Sequence, residues 1–575
     1  MSDFDEEKQI KQLEDLRKEE EEVLVASLAE SKYSLPYVDL YRLGIDNEAL
    51  RAIAEADARE MKVAPFKLFG KNIYIAVRTP SEDLFNTLKE AMERKNLTPT
   101  FYMVSSASLN KVWDRYKEIS MAESSAIGSV DISLPVLREM AKNIQHIQDV
   151  EKLVIEALEG NKTHKISHLL EIILAGAIAI KASDIHIEPE KDRARLRLRL
   201  DGVLQDIHFF GLDVYRLLNS RIKLLSGMKL TSKIAQDGRF GIMEEKEELS
   251  IRTSLIPGAY GESIVMRILD PKSIQVKLEE IGIEPFLFSI IEKEISKPNG
   301  MILVTGPTGS GKTTTLYAFL SKIYSPEIKI ITIEDPIEYH LAGITQTQTN
   351  DERGYTFVEG LRSALRQDPD VVMVGEIRDR ETAETAVQSA LTGHIVFSTL
   401  HTNNAAGVIP RLIDLGVNPK ILVSALSLSI AQRLVRKLCK FCKKENTPTE
   451  QENKIINLVL NSMKEEGKDF SKYGVDPAVW FSAKGGSASG GKIFSPVGCD
   501  KCNKIGYSGR IGIFEAIKTD EAIEKIIPEN PSEHEIKKVA RNQGILSMRQ
   551  DGIVKVLNGI ASLAEVQSVV DLSEE

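Results

Sequence analysis

An apolar run, Met301 to Val304, is followed at once by Gly306-Pro307-Thr308-Gly309-Ser310-Gly311-Lys312-Thr313 and then by a helix-compatible segment, Thr314 to Tyr324. The spacing G-x-x-x-x-G-K-[ST] between strand and helix is that of a phosphate-binding loop. Its glycines let backbone N–H groups turn inward onto phosphate oxygens, and the helix N-terminus adds its dipole. On this reading Gly306 to Thr314 hold ATP, Lys312 reaches the β- and γ-phosphates, and the Thr313 hydroxyl holds Mg²⁺. A chance glycine-rich turn would not arrive with every fixed position filled and both flanking elements in place. The chain must therefore build a parallel α/β sheet around this loop and handle a nucleoside triphosphate.

Beyond the loop, strand and helix patterns alternate, as such a sheet requires. Ile328 to Ile333, Asp370 to Glu376 and His394 to His401 read as buried strands. Each ends in chemistry: Glu334-Asp-Pro-Ile-Glu338, Gly375-Glu376, and Thr399-Leu-His401. Ligands bind outside the carboxyl ends of open α/β sheets. There Glu376, with Glu338 as second candidate, can orient the attacking water, and His401 can sense hydrolysis.

The 575 residues predict about three or four domains. They read as a charged helical arm (1–35), a small N-terminal α/β domain (36–118), a linker (119–160), a second N-terminal domain (161–290), an ATPase core (291–436), a cysteine-bearing subdomain (437–515) and a helical C-terminal segment (516–575). In the second domain, Arg193, Arg195, Arg197 and Arg199 alternate with Ala194, Leu196, Leu198 and Leu200, which predicts a strand with one cationic and one apolar face. Asp201-Gly202 predicts a tight hairpin after it. A net charge of −10, from 74 basic and 84 acidic residues, gives the whole chain no reason to coat nucleic acid. The N-terminus lacks a basic region and an apolar signal segment, and the apolar stretch Leu169 to Ile180 contains Glu171 and is too short to span a bilayer. The expectation is a cytoplasmic protein that docks on a membrane through partners.

All four cysteines fall in two C-x-x-C pairs, Cys439/Cys442 and Cys499/Cys502. Four thiolates satisfy a closed tetrahedral Zn²⁺ site, whereas a cytoplasmic protein should not store disulfides. A pair of redox dithiols is the alternative.

Taken together, Gly306 to Thr313, Glu334 to Glu338, Gly375-Glu-Ile-Arg-Asp379 and Thr392-Gly-His with Thr399-Leu-His401 resemble the phosphate loop, Asp box, Walker B and His box of the secretion ATPase superfamily. The resemblance is to type IV pilus assembly and type II secretion ATPases. Ala182-Ser-Asp-Ile-His, Arg199-Leu-Asp-Gly202 and Gln236-Asp-Gly-Arg239 are similar to that family's second N-terminal domain. Gly375 stands where many P-loop enzymes carry Asp. The resemblance implies a multidomain α/β fold: a RecA-like P-loop ATPase core, preceded by a PAS-like α/β domain and a small N-terminal α/β domain, with a tetracysteine zinc subdomain. It implies that Arg252 and Arg267 contact nucleotide from the second domain and that Arg362 and Arg366 do so from the core. It further implies a homohexamer that works on an inner-membrane platform protein to drive pilin polymerisation, with a type II secretion motor as the alternative. A RecA-like nucleic-acid motor is less favoured, because no basic, aromatic-bearing channel is evident. Arg42-Leu-Gly44 is similar to the start of a cyclic-di-GMP motif of some relatives, but the leucine and glycine pattern that should continue it is missing.

Overall fold

The computed structural model describes residues 21–22, 24–33, 35–40, 45–50, 52–95, 97–113, 116, 134–159, 165–230, 234–244, 247–269, 276–476, 480 and 491–573. Arg42 to Gly44, the first twenty residues of the arm and most of the Gly485–Gly491 loop lie outside them.

In the small first domain, β1 (Val63–Phe69) pairs antiparallel with β2 (Asn72–Val77), and β3 (Thr98–Met103) lies parallel on its other side. Ser81 starts α1 (Glu82–Glu93) by accepting the Leu84 N–H at 3.3 Å, as the Pro80-Ser81-Glu82 pattern predicts. The end of the arm departs from a solvated helix. Val25 and Ala29 are buried with Met103, and Glu22 accepts from the Ser108 hydroxyl at 3.0 Å.

The expected linker 119–160 is replaced over its described part by α2 (Leu134–Lys142) and α3 (Ile147–Glu159). Leu137, Ile144, Val150 and Val154 enter one core with Leu169 and Ile173 of α4 (Lys165–Ala179). Apolar residues at helical spacing need a partner surface, and the sheet of the second domain supplies it. That sheet is antiparallel, formed by β4 (Asp184–Pro189), β5 (Ala194–Leu200), β6 (Val203–Phe210), β7 (Gln236–Glu244), β8 (Glu247–Gly258) and β9 (Gly261–Leu269) in the order β6-β5-β4-β9-β8-β7. On β5, Ala194, Leu196, Leu198 and Leu200 are buried, while the arginines pair with acids across the sheet: Arg195 with Asp206 at 2.6 Å and Arg199 with Asp184 at 3.3 Å. Asp201 and Gly202 turn the hairpin with φ of 48° and 91°.

The expected ATPase core is built on a seven-stranded sheet in the order β12-β11-β13-β14-β10-β15-β18. The strands are β10 (Gly300–Thr305), β11 (Ile330–Glu334), β12 (Thr345–Gln348), β13 (Val371–Val374), β14 (Ile395–Leu400), β15 (Leu426–Leu438) and β18 (Tyr507–Lys518), with β16 (Lys444–Asn446) and β17 (Ile493–Ser495) forming a separate antiparallel pair between the last two. Within the seven-stranded sheet all pair in parallel except β18, which runs antiparallel to β15 as a long ribbon. One face is covered by α5 (Pro285–Ile295) and α6 (Lys312–Ile323), with Leu287, Ile291, Phe319 and Phe397 in its core. The helix from Pro285 therefore belongs to the ATPase core, and the second domain ends earlier than the expected residue 290. The opposite face is covered by α7 (Phe357–Leu365) and α8 (Arg380–Leu391). α9 (Glu450–Glu465) and α10 (Met548–Leu557) continue that same core through Ile456, Leu460, Ile553 and Val556. The stretches expected as a separate subdomain (437–515) and C-terminal segment (516–575) thus share one core with the ATPase sheet, because their apolar helix faces extend its surface instead of closing on themselves.

Candidate functional site

The phosphate loop leaves β10 at Thr305 and enters α6 at Lys312. Gly306, Gly309 and Gly311 adopt φ of 140°, 78° and 91°, conformations that only glycine reaches without strain. At Gly306 a Cβ would also lie 2.4 Å from the Gln432 carbonyl oxygen on β15, so the loop is pressed against the neighbouring strand. The Lys312 ammonium donates to the carbonyls of Gly306 at 2.9 Å and Pro307 at 3.1 Å, across the loop mouth. Burial lowers its pKa, with Arg433 adding to the effect and Glu376 opposing it. Ser310 Oγ is buried without a hydrogen-bond partner among the described residues. Thr313, at the second position of α6, is exposed. An orphaned buried hydroxyl, a desolvated cation and inward-turned glycines suit a polyphosphate, and Thr313 is the residue that would hold its Mg²⁺.

β11, β13, β14 and β10 are consecutive parallel neighbours, so their carboxyl ends gather around the loop. Just beyond β13, Glu376 faces His401 just beyond β14, with Nε2 and Oε2 at 3.0 Å, and Arg378 forms a short ion pair with its other oxygen. Burial acts to raise Glu376, but these two partners outweigh it and hold the carboxylate below its ordinary 4.5. Glu334, at the end of β11, does not join them. It is buried, accepts from Tyr317, Thr332 and Gln346, and is raised by that burial. Its carboxyl is turned into the protein, toward these partners.

Glu338 meets the second domain instead. Arg252 on β8 donates to Glu338 Oε2 at 3.2 Å and makes a short hydrogen bond to the Ile337 carbonyl. Arg252 belongs to a cross-strand row, Arg199–Asp184–Arg267–Arg252–Arg239, running over five adjacent strands. Arg267 sits in this row paired with Asp184 at 2.9 Å, and it is not brought to the core. Glu262, a neighbour that could have neutralised either arginine, is sealed against Lys223 at 2.5 Å. Arg362 and Arg366 likewise hold local partners: Arg362 binds Glu359 at 3.1 Å and Glu381, in the first turn of α8, at 2.6 Å, and Arg366, just past the end of α7, donates to Ser363 at 2.9 Å.

Three participants were not singled out from the sequence. Arg378 was visible inside Gly375-Glu-Ile-Arg-Asp379 but had no assigned partner. Gln432 braces the loop and accepts from Thr315 at 2.7 Å, and Thr305 Oγ1 accepts the Thr402 N–H at 2.8 Å behind His401. The only sequence signal for Gln432 was a polar residue inside an apolar strand.

The four cysteines converge at the far end of the β15–β18 ribbon. Their Sγ atoms lie within 4.8 Å of one another, with Cys439–Cys499 at 3.9 Å, Cys442–Cys502 at 3.7 Å and Cys499–Cys502 at 3.7 Å. Sulfurs bound at about 2.3 Å to one tetrahedral zinc are about 3.8 Å apart, so this donor set fits Zn²⁺. Backbone N–H groups of Gly498, Cys499 and Gly506 approach the sulfurs at 3.3, 3.2 and 3.2 Å, as they would support thiolates. The knuckle also touches the second domain. Asn503 accepts the Ile147 N–H at 3.1 Å, and Asp201 accepts the Gly509 N–H at 2.8 Å.

Residues 159–568 match the family described as type II/IV secretion system protein. The chain is 44% identical over 415 residues to the type II secretion system protein E of Aeromonas hydrophila, covering 72% of this chain and 77% of that one. It is 39% identical over 521 residues to the protein of that name from Pseudomonas aeruginosa, with 90% of each chain covered. It is 33% identical over 549 residues to the type IV pilus assembly ATPase PilB of Myxococcus xanthus, covering 95% and 91%.

Proposed function

The chain belongs to the type II/IV secretion system protein family and is a P-loop ATPase, and from that premise we propose a homohexameric motor that drives pilin polymerisation. It would act through an inner-membrane platform protein, docked by that partner at the cytoplasmic face of the membrane. No helix among the described residues is long and apolar enough to cross a membrane. A type II secretion motor is the parallel reading, and relatives of both names support the two equally.

The observation that carries the proposal is the reach of Arg252 from the second domain to Glu338, just beyond the carboxyl end of β11. A motor must turn a chemical state into a movement between bodies, and a guanidinium poised between an acid and an incoming phosphate is a contact that ATP can rewrite. Lys312 would bind the β- and γ-phosphates, and Glu376, kept ionised, would orient the water that attacks the γ-phosphorus while the bridging bond breaks. His401 would report the change through its bond to Glu376. Mg²⁺, when bound, supplies neutralisation of phosphate charge. Arg362 and Arg366, presented outward on α7, would serve the site of an adjacent copy.

The test has three arms. Lys312→Ala should abolish hydrolysis, and Glu376→Gln should bind ATP without cleaving it. Light scattering on the ATP-bound Glu376→Gln protein should give a hexamer; a monomer would remove the motor reading. Deleting the gene should remove surface pili, whereas loss of protein export with pili intact would select the type II motor. Stimulation of hydrolysis by DNA would instead favour a nucleic-acid motor.

A further inference from the structure

The segment after His401 is held from both sides. On the phosphate-loop side, Thr305 Oγ1 accepts the Thr402 N–H at 2.8 Å. On the C-terminal side three consecutive residues are tied to three charged side chains. Arg433 donates to the Asn403 carbonyl at 3.2 Å, Asn404 Nδ2 donates to Glu533 at 2.9 Å, and the Ala405 N–H donates to Glu515 Oε1 at 2.8 Å. The second oxygen of Glu515 accepts the N–H of Met548, the first residue of α10, at 3.1 Å. Glu515 lies on β18 opposite Ala431 of β15, one residue before the Gln432 that braces Gly306. These tethers border a cavity of about 440 Å³, so the segment has room to shift once released.

The geometry points to Glu515 as a positioning residue for hydrolysis: it fixes the segment after His401, and with it the imidazole that faces Glu376, to the first turn of α10. Each carboxylate oxygen is used by one backbone N–H from a different element, so both acceptors are required at once. A glutamine has a single carbonyl acceptor, and its amide N–H₂ would face one of the two backbone donors. Neutral substitution therefore breaks one anchor without removing volume. A displaced general-base constellation loses turnover steeply with distance, while Lys312 and the glycines that bind ATP are untouched.

This inference rests on the reading of Glu376 and His401 as the hydrolytic pair. Steady-state kinetics and ATP affinity are measured on the full-length protein for Glu515→Gln and Glu533→Ala, with Glu376→Gln as reference and thermal melting as the folding control. The expected result for Glu515→Gln is a fall in kcat of ~10- to 100-fold, with ATP affinity unchanged within about twofold and the melting temperature close to wild type. Glu533→Ala, on an exposed side chain, should lower kcat less and in the same pattern. It carries the test should Glu515→Gln fail to fold. Wild-type kcat in either folded variant that should show the loss, with Glu376→Gln inactive, overturns the role of Glu515 while leaving that of Glu376 in place. Activity retained by Glu376→Gln removes the reading of Glu376 instead, and a selective kcat loss in Glu515→Gln would still support the tether.

Discussion

Arg252 and Glu338 lie 86 residues apart and in different domains, yet they form an ion pair at 3.2 Å. Both side chains are partly exposed, at 25% and 34%. As a static pair it should add only ~0.2–1 kcal/mol to stability. On the proposed function, an incoming phosphate would compete with Glu338 for the guanidinium.

Arg252→Ala should lower kcat by at least roughly a hundredfold while the protein stays folded, if the guanidinium acts on the developing phosphate charge. Arg252→Lys should not restore the rate, because a point charge lacks the planar fork. Arg267→Ala should cost less, about tenfold or below, since Arg267 is bound to Asp184 and Arg199 remains to hold that acid. Equal losses in both alanine variants, measured under saturating ATP, would mean that the whole arginine row moves onto the nucleotide.

The loop glycines should separate by environment. Gly306→Ala places a Cβ 2.4 Å from the backbone oxygen of Gln432 at a φ of 140°, so ATP affinity should collapse along with local order. A Cβ on Gly309 meets nothing within 4 Å, leaving a left-handed strain of about 1–2 kcal/mol. Thermal melting without nucleotide should show Gly306→Ala as the more damaging change.

The acid limb of activity should track Glu376. Its folded-state pKa lies below the ordinary 4.5 because Arg378 and His401 overcome the effect of burial. The folded protein thus binds fewer protons than the unfolded chain in that window. The contribution to stability is fully present above 4.5 and is lost as pH falls through the folded value. Arg378→Ala should move the acid limb of kcat/KM upward and weaken the protein at mildly acidic pH. An acid limb that stays in place in Arg378→Ala would assign it to another group.

One zinc per chain is expected from elemental analysis of protein purified without chelator. Zinc-finger peptides gain about 10–16 kcal/mol from the metal, so stripping it should open the knuckles from Cys439 to Cys502. Hydrogen exchange should then also rise at Ile147 and Gly509, whose N–H groups are held at the contact with the second domain. Exchange confined to the knuckles would show that this contact does not depend on the metal.

The phosphate loop, the buried strands and the paired cysteines were legible because each is a local pattern with its own physical reason. The alternating arginines of β5 were legible as a strand face, but not their partners, which come from β4 and β6. α2 and α3 read as linker because an amphipathic pattern alone does not say which surface it covers, and their partner surface lies further along the chain. Glu334 and Glu338 look equivalent in sequence, and only packing shows one buried under Tyr317 and the other turned to Arg252. Thr305 and Glu515 act through neighbours distant in sequence, for which no spacing rule exists, whereas Arg378 pairs with Glu376 two residues away through loop geometry that its motif does not reveal.

Past Gln432, β15 runs on to Leu438 beside β18, and the cysteines begin at Cys439. Six strand residues span ~20 Å, so a stiff two-stranded rod connects the phosphate loop to the knuckle that grips Asp201 and Ile147. Among the described contacts, two that hold the second domain are well separated: this knuckle and the Arg252–Glu338 pair. A rigid body pinned at two points keeps one rotational freedom, about the line through them. If ATP releases the arginine contact alone, the second domain is left to pivot about the zinc end, and the length of the rod sets how far that pivot lies from the phosphate loop.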